Sequence, residues 1–172
     1  MAVSEGLLRF AGRIDRLNAG IGRGVAWLAL AIVVGQFTLV LARYVFGFGS
    51  IPLSEAVIYA HAALFLLAAA WTLKADGHVR VDIFYGEASA RARAVVDILG
   101  ALLLLLPFMA VVLVFAAPYA ERSWAILERS QEVGGLPLVF VLKTLIPLFA
   151  VLMALQGVAQ AIRAVQALAE TR

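Results

Sequence analysis

Two histidines, His61 and His78, are the residues of this 172-residue chain best suited to ligating a haem iron. A haem held inside a helical bundle takes two such rings at matched depth. Only His61 lies within a long apolar run, whereas His78 falls in a charged connection. A lone histidine there suits a hydrogen bond to a neighbouring helix. Cysteine is absent, which excludes disulfides, thiolate metal sites and cysteine nucleophiles. No G-x-S-x-G, H-E-x-x-H or phosphate-cradling glycine loop occurs, and the glycines of "FGFGSIP" read as a turn. No catalytic residue, cofactor or metal site is therefore expected. What remains are isolated polar side chains in apolar surroundings: Arg43, Glu55, Lys143, Gln156 and Gln160.

Those residues need elements to hold them, and composition says which. The chain is 64% hydrophobic and 15% charged, with a mean hydropathy of +0.99. Soluble domains carry roughly 45–50% apolar and about 25% charged residues. Lipid is the solvent that fits. Four runs reach the ~20 residues a helix needs to cross a ~30 Å hydrocarbon layer. They lie near Gly24–Phe46, Leu53–Leu73, Val95–Pro118 and Leu138–Ile162. The ten-residue alternation of β-barrel spans is absent. Helices close their backbone hydrogen bonds within themselves, as a lipid-exposed segment must. The expected fold is an all-α integral membrane protein with four transmembrane helices.

Ahead of the first run, Val3, Leu7, Phe10, Ile14, Leu17 and Ile21 recur at three- and four-residue intervals. Arg9, Arg13 and Arg16 take the other side. Residues 1–23 are thus expected to form an amphipathic helix in the membrane interface, 24–162 the four-helix domain, and 163–172 a tail. Ten Lys and Arg fall before the first run, between the second and third, or after the last. Only Arg122 and Arg129 lie in the other connections. By the positive-inside bias both termini and the 74–94 connection are expected on the cytoplasmic side. The basic balance then reports orientation, not nucleic-acid binding.

Arg43 and Glu55 flank the "FGFGSIP" turn at matched depth, about one helical turn from the surface. An unpaired charge at a span's centre costs about 2.5–3.5 kcal/mol, and less near its ends. Pairing across the hairpin is expected, with separate snorkelling as the alternative. Arg93 and Asp97, four apart, suit an ion pair. Pro107 is expected to kink the third helix. "YAERSWAILERSQEVGGLP" reads as a helical extension stopped by Gly134-Gly135, with Pro137 starting the next helix. Lys143 either snorkels outward or faces a partner helix, and Gln156 and Gln160 can hydrogen-bond across an interface.

The order "RYVF" (Arg43–Phe46), "SE" (Ser54-Glu55), "GHVRVD" (Gly77–Asp82), "GGLP" (Gly134–Pro137), Lys143, Pro147 and "LQG" (Leu155–Gly157) resembles the small membrane subunit of tripartite ATP-independent periplasmic (TRAP) transporters, the DctQ-like family. The resemblance covers about residues 25–160. Leu53 and Ala56 depart from it, standing where many relatives carry an aromatic and a second acid. It implies a non-catalytic small permease in the bacterial inner membrane. Its partners would be a large TRAP permease subunit, a periplasmic solute-binding protein and membrane lipid, serving sodium-driven uptake of an organic acid. Asp76, His78, Arg80 and Asp82 would then project one way from an extended strip toward the large subunit. Lys143, Gln156 and Gln160 would add contacts. A hairpin cap satisfying its own helix ends fits the same strip. A haem-binding redox anchor and an autonomous small transporter are the competing readings.

Overall fold

The computed structural model describes residues 3–79 and 85–171. Four long helices run up and down: α1 (Glu5–Val45), α2 (Ile51–Lys74), α3 (Ala90–Ala125) and α4 (Val139–Glu170). No strand occurs among the described residues. Each expected span lies largely inside one of these helices. All four are long and apolar enough to cross a membrane.

Local sequence sets most of the helix ends. Ser4, Ser50 and Ser89 cap α1, α2 and α3, their hydroxyls accepting the Leu7, Leu53 and Ala92 N–H groups. Pro52 fills the first turn of α2, where a missing N–H does no harm. α1 stops where Gly47 turns left-handed at φ 72° and Phe48 N–H donates back to Ala42 O.

Two elements differ from expectation. The amphipathic N-terminal stretch is not a separate helix but the start of α1, which runs unbroken for 41 residues. Gly20, Gly22 and Gly24 do not interrupt it. Gly22 instead lets Trp71 of α2 approach so closely that a Cβ would lie 2.6 Å from its side chain. Likewise α4 continues past Ile162 to Glu170, so the expected tail is helical over most of its length. At the other end of the bundle, α3 finishes at Ala125, well before Gly134-Gly135. Leu127, at φ 45°, turns the chain away.

Just ahead of Pro107, where a kink is expected, the helix carries a widened π segment over Gly100–Leu105. Pro107 has no N–H for the carbonyl four residues back, and the turns before it open. Leu105 thereby packs onto Gly157, where a Cβ would lie 2.7 Å from it.

α4 packs against all three other helices and supplies more buried residues than any of them. Many are small, as helix interfaces in lipid require for close backbone approach. The middle of the bundle is apolar: Ala70, Met109, Ala150, Leu152 and Met153, with Ile21, Leu67 and Phe149 against them. Near the termini, Ala11 and Ile14 of α1 close on Ala159 of α4.

Candidate functional site: polar locks at the two ends of an apolar bundle

The buried polar side chains gather at the ends of the bundle. At the end carrying the termini, Asn18 Nδ2 donates to Gln156 Oε1 at 2.7 Å, and Gln156 Nε2 donates to Asp15 Oδ1 at 3.0 Å. Arg163 grips both Asp15 oxygens, with Nη2 at 3.0 Å from Oδ1 and Nη1 on Oδ2. Gln156 and Asn18 are fully buried, and Asn18 Oδ1 is left without a partner. Burial pushes the Asp15 carboxyl up. The hydrogen bonds from Arg163 and Gln156, with the charges of Arg163 and Lys74, outweigh it and hold the group below its ordinary value. Farther out, Val3 N–H donates to Gln166 Oε1 at 3.0 Å. α1 and α4 are thus laced together along their terminal halves.

Beside this lock an open cavity of about 410 Å³ is lined by Asp15, Lys74, Asp76, Asp97, Gln160 and Arg163. Gln160 therefore faces a polar recess. The Arg93–Asp97 pair does not form. Arg93 Nε donates to Ala88 O at 2.9 Å, and the Tyr85 hydroxyl takes the Asp97 carboxylate at 2.9 and 3.0 Å. His78 is exposed. Asp76 adopts φ 57° and finishes the C-terminal turn of α2, so no extended strip starts there. Arg80 and Asp82 lie outside the described residues.

At the opposite end, Glu55 of α2 reaches the connection between α3 and α4. It accepts from the Ser130 hydroxyl and, at 2.5 Å, from Leu136 N–H. Gly135 makes room: a Cβ would sit 2.8 Å from the Glu55 carboxylate and 2.5 Å from Ser130 Oγ. Both oxygens of Glu55 are thereby engaged, and the expected Arg43–Glu55 ion pair is absent among the described residues. The loop brings neutral donors to Glu55, and Arg43 opens instead into a cleft with Gln36, Ser50 and Ser54.

Lys143 neither snorkels nor waits for an outside helix. Its Nζ donates to Glu128 at 2.5 Å and lies 4.1 Å from the centre of the Tyr119 ring. Glu128 also accepts from Ser123 at 2.7 Å. The Lys143 bond first, then the Ser123 bond, hold the Glu128 carboxyl below its usual value against burial. Next to it Trp124 Nε1 donates to Thr144 at 2.7 Å and packs edge-on against Phe140.

Sequence reasoning missed Asp15, Asn18 and Ser130, and gave Glu128 and Arg163 no partner. The one available signal for Asp15 and Asn18 was their place on the apolar flank of the N-terminal helix, between Ile14 and Ile21. Gln156 was found as a contact residue, but its partners are within the chain.

His61 projects outward from the middle of α2 and stacks on Phe65, ring centres 5.0 Å apart. No group of three or more His, Cys, Asp or Glu residues among those described is arranged to hold a metal ion.

Four helices able to span a membrane, locked by polar clasps around an apolar middle, define a small helical membrane protein. The family description "Tripartite ATP-independent periplasmic transporters, DctQ component" matches residues 25–167, and the chain belongs to this family. No curated protein and no solved structure matches it.

Proposed function

We propose that the chain is the small permease subunit that scaffolds the large permease of a sodium-driven uptake system. The cargo would be an organic acid delivered by a periplasmic binding protein. Family membership supports the transporter role. The observation that carries the scaffold role is the apolar middle of the bundle, where Ala70, Met109, Ala150, Leu152 and Met153 form the buried cluster. Carriers hold substrate and ions at discontinuous helices near the midplane. Here the bonded polar groups are spent on locks at the ends. Both termini belong on the cytoplasmic side of the inner membrane, by the excess of Lys and Arg at that end.

Reconstitution into liposomes tests this. With a sodium gradient, the large permease and the binding protein, uptake is expected only when this chain is included. Solute flux by the chain alone, or full flux without it, refutes the scaffold role.

A further inference from the structure

Polar side chains in a membrane span normally face the bundle interior or a polar partner. On one face of this protein they do neither. Gln36 and Arg43, seven residues apart on α1, are exposed, as are Ser54 and His61, seven apart on α2. The two pairs lie on adjacent helices that pack against each other. Gln36, Arg43 and Ser54 share one cleft of about 450 Å³. Gly35 of α1 abuts Val57 of α2, and Val57, Ile58 and His61 line a second, shallow depression on α2.

Depth decides what can cover this face. Arg43 is near the helix end and could reach lipid headgroups. Gln36 lies nine residues before the end of α1 and His61 ten after the start of α2. At 1.5 Å per residue both are about 14–15 Å deep. Neither side chain is long enough to snorkel that far. The outward side of α3 offers a contrast, with Leu104, Phe108, Val114 and Phe115 all exposed and all apolar. That face suits lipid and the α1–α2 face does not.

Building on the proposed scaffold role, we infer that the α1–α2 groove is the docking surface for a transmembrane helix of the large permease. That helix would present a carboxylate to Arg43 and hydrogen-bonding groups to Gln36 and His61. Arg43 has no hydrogen-bond or ion-pair partner among the described residues, so a carboxylate on that helix would complement its charge, while Gln36 and His61 supply the depth that lipid cannot match.

The test is photocrosslinking in membranes that co-express both subunits, with benzoylphenylalanine placed at Val40 or Ile58, or at Leu104 or Phe115. Permease adducts are expected from the first pair and not the second. Arg43→Glu should lower permease recovery about tenfold, the effect of about 1.4 kcal/mol, while Arg43→Lys retains most of it. Adducts chiefly from Leu104 and Phe115, in a complex that still co-purifies, would overturn the docking face and leave the scaffold role standing. Lipid-only adducts at Val40 and Ile58, with Arg43→Glu recovering normal amounts of permease, would assign the groove to lipid. Failure of the unaltered chain to recover any permease would sink the scaffold role and the docking face together.

Discussion

Asn18 and Gln156, 138 residues apart in the chain, meet in a 2.7 Å amide–amide hydrogen bond with both side chains fully buried. Removing either one strands its partner. Gln156→Leu should destabilise the bundle by about 1–3 kcal/mol, the penalty for a buried polar group left unpaired. The Asn18→Leu, Gln156→Leu double variant should lose less than the sum of the singles. Unfolding of all four proteins in detergent measures that coupling, and strict additivity would contradict the bond.

Three glycines spaced two apart should respond differently to the same change. Gly22→Ala places a methyl 2.6 Å from Trp71 and should lower stability by about 1–3 kcal/mol, the usual range for overpacking. Gly20→Ala and Gly24→Ala meet nothing within 4 Å. Each should be neutral or stabilising by up to about 1 kcal/mol, through better helix propensity. Thermal midpoints of the three variants separate these outcomes.

Glu55 and Arg43 should act independently. Glu55→Ala releases Ser130 and Leu136 N–H, so the connection between α3 and α4 should become more open to proteolysis. Arg43→Ala should leave that loop protected. Because the two are not paired, their effects on the stability of the isolated chain should add within about 0.5 kcal/mol. A larger interaction energy would restore the ion pair.

Acid should loosen the terminal lock. The Asp15 carboxyl is held below its ordinary value of 3.8, so the folded state binds its proton less readily than the unfolded state. Its contribution to stability is complete above the unfolded value and is lost as pH falls through the lower folded one. The thermal midpoint should drop across that acidic window, and Asp15→Asn should flatten part of the drop. An unchanged acid response in Asp15→Asn would show that the lock does not titrate.

Much of the architecture was legible because lipid imposes a simple rule: about 20 apolar residues make a span. The turn at Gly47 and the helix start at Pro52 were equally readable, since their backbone demands are local. Pairings between helices were not. Asp15 finds Arg163 across 148 residues, and no local pattern specifies such a partner. Arg43 and Glu55 were matched by depth alone, whereas a loop 75 residues beyond Glu55 supplied the donors that took it. Gly22 is a further case, because sequence shows a missing side chain without showing the tryptophan that fills the space. The family resemblance ran through the same spans and agrees with the family match over residues 25–167.

The unbroken course of α1 has a mechanical corollary. At 41 residues it is a stiff rod of about 60 Å, roughly twice the hydrocarbon thickness. Its two extremities therefore belong to one continuous element, with Arg43 near one end and Asp15 near the other. α4 is clasped to the segment around Asp15, so a single helix carries both the terminal lock and the cleft around Arg43.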